Sequence, residues 1–369
     1  MSETPAQRRD RKKRERKERK ERKERKEREK AEKLAKMMQK RQEEERELYE
    51  PRTLQEKGYK LENLGEIGTG RFSTIYKIRK RDGATEVDCA AKLLELDQIS
   101  DEMFRERQLP RELIILKHIG NRHGYIVHVW DVIETTKRVY IMMELMGGSS
   151  LYTHLQNNSD VSESQIRRWM FGVCRAINYL HTNGIAHRSI RLENILLDGQ
   201  ANKAKLGGFS SARLVLDSNT RRRTMSETNC GSGPYAPLEV LRGDRYDPQA
   251  MDVWTYGVSI FYAMNRKYPF DYKDVGVQID QQMKQSWKTR CKDKAKVDVI
   301  ELLGRVLIEP KQRMLVKEMF TQKWFQMAEN TSSARNEPED IKEAVVKAFA
   351  DRLEVLQSNI SSIASSKVD

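Results

Sequence analysis

The stretch "GIAHRSIRLENILLDG", residues 184–199, brings His187, Arg188, Ser189 and Asn194 within eight positions. An imidazole, a guanidinium and an amide at that spacing could serve a proton, an anion and a hard cation, and Glu193 and Asp198 add carboxylates nearby. Upstream, "GEIGTGRFSTI" carries Gly68 and Gly70 ahead of Ile75. Glycines there let a backbone close over a phosphate and present its N–H groups, although the same pair fits an ordinary hairpin turn. "CAAK" runs from Cys89 through Ala90 to Lys92, and "RELIIL" places Glu112 early in a helical pattern. Read alone, Lys92 and Glu112 are a surface lysine on an edge strand and an exposed glutamate; the flanking motifs are what give them another reading.

The elements that must position these groups follow from periodicity. Alternation predicts strands in "YKLENLGEIG", "STIYKIRK", "DCAAKLLEL" and "RVYIMMEL", with one buried helix in "RELIILKHIG". From Gly147 the pattern changes to long helices. Ile166, Trp169, Met170, Val173, Ile177 and Leu180 recur every three or four residues and lead into the 184–199 loop. Val253, Gly257, Ile260, Phe261 and Met264 mark a second such helix. The expected fold class is α+β: a strand-rich lobe over 59–146, a helix-rich lobe over 147–325, an extension over 1–58, and a polar linker with a C-terminal helix over 326–369. On that last helix Ile341, Val345, Phe349, Leu353 and Leu356 share one face, which is expected to dock on its own domain.

Charge is distributed unevenly. The chain has 369 residues and a formal net charge of +14, and residues 1–50 supply half of it, with 21 Lys and Arg against 14 Asp and Glu. In "RERKERKERKERKEREK" each of Glu15, Glu18, Glu21 and Glu24 has an arginine four residues on, worth roughly 0.2–0.5 kcal/mol per pair on a helix. No apolar stripe precedes Leu34, so this segment reads as a solvated helix or spacer. A nuclear-localisation, microtubule, membrane-surface or nucleic-acid role for residues 8–30 is the other reading. Interleaved glutamates and the lack of aromatic residues weigh against nucleic acid. Cys89, Cys174, Cys230 and Cys291 form no CxxC pair and read as reduced structural thiols. No apolar run is long enough to span a bilayer and the N-terminus has no signal-peptide pattern, so a cytoplasmic or nuclear location is expected.

In their order along the chain, these motifs resemble the eukaryotic protein kinase family, Ser/Thr type, nearest its calmodulin-dependent and testis-specific branch. The glycine-rich loop has Ser73 where the third glycine would stand. "YIMMELMGGSSL" resembles the interlobe hinge, with Met143 at the gate and Glu144, Leu145 and Met146 lining the pocket. "GSGPYAPLE" resembles the end of the activation segment with Glu239, "DVWTYG" supplies Asp252 to brace the catalytic loop, and Arg313 would pair with Glu239. The resemblance implies nucleotide contacts from Gly68, Gly70, Ile75, Ala90, Lys92, Glu112, Met143, Glu144, Met146 and Asn194. It implies structural roles for His187 and Phe209, stacked with Leu116 and Val129, and a phosphate grip for Arg188. Thr224, Ser226 and Thr228, after Arg221–Arg223, become candidate phosphosites, with Thr228 at the usual activation-loop position.

Two carboxylates of the family are missing. Ser189 stands in the catalytic Asp position, and in "KLGGFSSAR" Gly208 stands where the metal-binding Asp would be, with Ser210 for the following Gly. A hydroxyl cannot take a proton near pH 7 as a carboxylate does, a loss of about 10²–10⁴-fold. Gly208 offers a metal nothing, and Asn194 alone is a weak ligand. Glu193 is expected to point elsewhere on the loop and Asp198 to belong to the next strand turn. The resulting expectation is a pseudokinase: a scaffold or allosteric regulator of another kinase or signalling complex, holding ATP weakly if at all, with Mg²⁺ weak or absent. The alternatives are a slow Ser/Thr kinase with atypical metal and base, and an anchoring module built on the basic N-terminal rod.

Overall fold

The computed structural model describes residues 52–135, 137–217, 220, 222–228, 233–291, 297–329 and 340–352, together with Lys33, Lys36 and Met37. The basic segment 8–30, Arg221, Cys230, the linker 330–339, Leu353 and Leu356 lie outside them. The chain divides into two compact units, Met1–Leu64 with Ile78–Val87, and Gly65–Lys77 with Asp88–Asp369.

In the smaller unit a short helix, Arg52–Glu56, ends at Gly58, whose φ of +79° suits a residue without a β-carbon. Gly58 N–H donates to Gln55 O, and Gly58 O accepts from Arg81 N–H, both at 2.9 Å. Leu54, Tyr59 and Ile78 are buried, and Lys60 pairs with Glu86 at 2.5 Å.

Strands β1 (Tyr59–Thr69) and β2 (Thr74–Asp82) carry residues of both units, and β3 (Thr85–Glu95) enters the larger one at Asp88. In the larger unit α1 (Leu109–Ile119) follows a wide π-helical turn, Phe104–Gln108. It starts with a proline in its first turn and ends at Gly120. Strands β4 (Val129–Glu134) and β5 (Arg138–Glu144) complete a five-stranded sheet, with β5 antiparallel to both β3 and β4. The β3–β5 register sets Lys92 opposite Ile141 and Ala90 opposite Met143. β4 was not among the strands expected, because "VWDVIE" does not alternate and only Val129 and Ile133 are buried.

The rest of the larger unit is helical, with α2 (Leu151–Asn157) and α3 (Glu163–Thr182) each capped by a serine hydroxyl, Ser150 and Ser162. Three short hairpin strands follow α3: β6 (Ile185–Ala186), and the pair β7 (Ile195–Leu197) and β8 (Ala204–Leu206). β9 (Arg213–Leu214) returns to pair with β6. Beyond α4 (Leu238–Leu241), α5 (Pro248–Asn265) is buried almost all round, capped by Asp247 with proline at its start. Gly257 on α5 allows α7 (Val297–Val306) to approach: a β-carbon there would lie 2.3 Å from Val306 Cγ1. Helix α6 (Val275–Met283) packs on α4, α8 (Val316–Met319) on α3, and α9 (Lys323–Glu329) on α3 and α7. A helix over 342–352 buries Ile341, Val345 and Val346 in the same apolar core, with Phe349 packed against it. Cys174 and Cys291 are free thiols, and Cys89 is buried. Among the described residues no helix is long and apolar enough to cross a membrane.

Candidate functional site

A cavity of about 530 Å³ opens between the tip of the β1–β2 loop, the β3–β5 sheet, α1 and the loop that follows β8. That volume lies in the ~300–1,000 Å³ range of small-molecule sites. Its wall takes in Gly70, Ile75, Lys92, Glu112, Met143 and Asn194, so six of the ten expected nucleotide contacts are brought together. Gly68, Ala90, Glu144 and Met146 are not part of that wall. Ala90 is buried within β3, and the Glu144 carboxylate turns away to accept from Lys205 Nζ (2.6 and 2.7 Å) and His128 N–H (2.7 Å).

Lys92 Nζ lies 2.6 Å from Glu112 Oε1, with Lys92 only 16% and Glu112 only 2% exposed. The edge-strand reading of Lys92 therefore falls away. The second carboxylate oxygen, Glu112 Oε2, is buried with no hydrogen-bond partner. At the loop tip Phe72 packs on Phe104 with ring centroids 4.5 Å apart. The Arg71 guanidinium covers Phe72 at 4.6 Å and pairs with Asp101 at 3.2 Å.

The 184–199 loop is held from α5. Asp252 is fully buried and accepts from His187 N–H at 2.8 Å and Arg188 N–H at 2.6 Å, and His181 Nε2 lies 3.0 Å from it. This grip keeps Arg188 at φ +58°, left-handed backbone that costs a non-glycine residue about 1–2 kcal/mol. His187 Nε2 donates to Gly207 O at 3.0 Å, and its Nδ1 accepts from Ser189 N–H at 3.3 Å. Complete burial keeps this imidazole below its ordinary pKa, against the opposing pull of Asp252 and Gly207 O, so it is neutral with both nitrogens committed. Its ring meets Phe209 edge-on at 4.8 Å, and Leu116, Val129 and Phe209 share one apolar core. His187 packs and braces.

Around the two substituted positions the side chains have closed up. Asn194 Nδ2 donates to Ser189 O at 2.8 Å and to Ser189 Oγ at 3.0 Å. Gly208 has φ +77°, and a β-carbon there would lie 2.4 Å from Asn194 Cγ and 2.5 Å from its Oδ1. Glu193 corrects the expectation that it points elsewhere: it lines the cavity. Its carboxylate is nevertheless taken, by Arg191 Nε at 2.9 Å and Nη2 at 2.7 Å, with Tyr235 OH at 3.4 Å. Burial raises the Glu193 carboxyl, and the hydrogen bonds and charge of Arg191 outweigh that and leave it below its usual range. Magnesium demands several hard oxygen ligands, at least one usually a carboxylate. Position 208 has no side chain, the Glu193 oxygens are engaged, and no cluster of three His, Cys, Asp or Glu able to hold a metal exists among the described residues. The residues present do not fit the metal.

The activation-segment candidates separate by exposure. Thr228 is exposed, Thr224 half-buried and Ser226 buried. Ser226, and not Thr228, faces the arginines: its Oγ lies 3.5 Å from Arg188 Nη1 and 3.2 Å from Arg213 Nη1. Thr228 is exposed, and its N–H donates to Ser226 Oγ at 3.3 Å. Arg111 belongs to the same positive cluster: burial first, then the charges of Arg213, Arg188 and Arg107, lower its pKa. Arg213 and Arg111 were missed in the sequence, although Arg111 directly precedes Glu112. Lower in the fold Arg313 makes the expected pair with Glu239, at 2.5 and 2.8 Å, both residues buried.

Residues 61–325 match the protein kinase domain model. The chain belongs to the protein kinase family. Its relatives include testis-specific serine/threonine-protein kinase 3 of Mus musculus, 33% identical over 63% of this chain and 82% of the relative. Testis-specific serine/threonine-protein kinase 4 of Homo sapiens is 32% identical over 59% of this chain and 67% of its own. CBL-interacting protein kinase 30 of Oryza sativa subsp. japonica is 29% identical over 73% of this chain and 54% of its own, so this chain spans about half that relative's length. Protein kinase domains in general use ATP and Mg²⁺. Lys92 pairs with Glu112, Asp252 accepts from the 187–188 backbone, and positions 189 and 208 carry no carboxylate.

Proposed function

We propose that this chain is a pseudokinase, a kinase-family protein whose cavity still receives a nucleotide and whose function is to scaffold or allosterically regulate a signalling complex. One observation carries the reading. Asn194 spends its amide on Ser189 and occupies the space above Gly208, where the transfer reaction needs a carboxylate and a metal. Without a general base at 189 and a metal ligand at 208, the charge that develops on a transferred phosphoryl group has little to stabilise it. The fitting partner is another protein, a kinase or a member of its complex, inside the cell. The CBL-interacting relatives, named for a partner, support this by likeness.

The test is phosphoryl transfer by the full chain, to itself and to peptide libraries, in Mg²⁺ or Mn²⁺, beside a Lys92→Met variant. The expected result is no transfer above that variant. Transfer that Lys92→Met abolishes would favour the slow-kinase reading, which the intact Lys92–Glu112 pair keeps in view. The arginines about Ser226 support regulation by phosphorylation of this segment, since a phosphate there would gain charge-assisted hydrogen bonds from Arg188 and Arg213. Because Ser226 is buried and bridged to Tyr246, the segment must lift before a kinase can reach it. Phosphopeptide mapping that finds Thr224, Ser226 and Thr228 unmodified in native tissue would remove this part of the reading.

A further inference from the structure

Resting on the scaffold reading above, we infer that a second cavity in the helical lobe docks an acidic peptide segment of a partner protein. It measures about 310 Å³ and shares no lining residue with the first. It lies where the last turn of α3, the first turns of α5 and the stretch leading into α8 meet, with Arg223 at its edge. Every lining residue belongs to the larger unit. The volume is at the small end of the ~300–1,000 Å³ range of ligand sites, room for a few side chains of an extended segment.

The wall is one-sided in charge. Arg223, Lys311, Arg313 and Lys317 line it, and its one carboxylate is Asp247. Asp247 is already spent: its Oδ1 accepts from Gln249 N–H at 2.8 Å, and its Oδ2 lies 3.5 Å from Arg223 Nη1. Arg313 is spent on Glu239, Ile308 O and Ala250 O. Lys311 and Lys317 are left over. Both are exposed, and among the described residues neither ammonium has an ion-pair or hydrogen-bond partner. The Asn178 amide and the Thr182 hydroxyl, on the same wall, are likewise unpartnered among the described residues.

The layout selects among anions. Lys311 and Lys317 stand on either side of the Arg313–Val316 stretch and Arg223 comes from another segment, so the charge is spread along the wall. A single phosphate calls for donors converging on one point, whereas spread cations complement carboxylates spaced along a peptide. No Phe, Tyr or Trp lines the wall for a base to stack on, which disfavours nucleic acid. The floor is apolar, with Val253, Met314 and Val316 buried, and Leu315 is 47% exposed on the wall. An apolar residue set among the acids would cover Leu315 and recover that area from water. The occupant is therefore acidic with an apolar anchor.

The experiment is fluorescence anisotropy of the full chain with a labelled peptide of Glu and Asp around one Leu, beside a counterpart carrying Lys for every acid. The acidic peptide is expected to bind, less tightly as salt rises, and the basic one not to bind. Lys311→Glu with Lys317→Glu should weaken binding about tenfold or more. Lys288→Glu with Lys323→Glu makes the same change in net charge at exposed lysines outside this wall and should alter it less than about twofold. Leu315→Ser should weaken it about threefold with the melting curve intact, because Leu315 is the N-cap of α8, where serine is favoured. Equal losses in the two double variants would mean attraction to net charge alone and would overturn the site. Tighter binding after Glu337→Gln with Glu339→Gln would mean that the chain's own acidic stretch before Ile341 fills the cavity, and would overturn the partner. No binding of the acidic peptide removes the docking site and leaves the scaffold reading standing. Phosphoryl transfer in the assay above removes the scaffold reading whatever the peptide does.

Discussion

Asn194 and Ser189 are tied together by two hydrogen bonds from one amide, at 2.8 and 3.0 Å. On the reading proposed above, the family would use these two positions for a metal and a substrate hydroxyl. Here they face each other, and Gly208 makes the arrangement possible by having no side chain to displace Asn194.

Restoring a side chain at 208 is accordingly costly. Gly208→Ala places a β-carbon 2.4 Å from Asn194 Cγ on a left-handed backbone, so a loss of about 1–3 kcal/mol is expected. That corresponds to a melting temperature lower by several degrees. Gly208→Asp with Ser189→Asp should regain transfer only if Asn194 also turns away. Calorimetry and a γ-phosphate transfer assay on the same variants check both points.

Asp252 has the opposite task, since it holds a strained residue in place. Asp252→Asn turns one acceptor into a donor facing an N–H group, and Arg188 at φ +58° loses part of what maintains it. A loss of about 1–3 kcal/mol is expected. Faster amide exchange confined first to residues 187–189 would distinguish it from general loosening.

The Arg313–Glu239 pair predicts an asymmetry. Arg313→Met strands a buried carboxylate and should cost about 3–5 kcal/mol, whereas Arg313→Met with Glu239→Leu should recover much of it. Denaturant midpoints for the two variants decide the matter. Equal losses would mean that the hydrogen bonds from Arg313 to Ile308 O and Ala250 O matter more than the charge.

His123 sets an acid limit. Burial, followed by the charges of Arg175 and Lys203, lowers it from 6.5 to about 4. In the unfolded chain it binds its proton near its ordinary value, so below pH 6.5 the unfolded state binds more protons than the folded one. Stability should decline as pH falls from about 6.5 to about 4, by up to about 3 kcal/mol from this group. His123→Phe, which keeps a ring against Tyr179, should flatten that part of the pH profile of the melting temperature.

Local pattern made much of this fold legible, and contacts across long sequence distances hid the rest. The long helices α3 and α5 follow from apolar spacing and side-chain caps, and the family follows from motif order. β4 was hidden because its burial comes from neighbours and not from alternation. The destinations of Glu144, Glu193 and Ser226 were hidden too, since Lys205, Arg191 and Arg213 are ordinary surface-type residues in sequence. A carboxylate is visible in a sequence; the cation that claims it is not. The sequence put Thr228 at the usual activation-loop position; the backbone instead sets Ser226 against Arg188.

The helix over 342–352 has a practical bearing on how this protein is cut. Ile341 N–H donates to Asn183 Oδ1 at 2.7 Å, and Ile341, Val345 and Val346 are as deeply buried as the centre of the lobe. All of them lie past Phe325, where the family match ends. A fragment trimmed to the homologous boundary would leave an oily trough beside Asn183 and invite self-association, so the unit that expresses cleanly is longer than the unit that evolution shares.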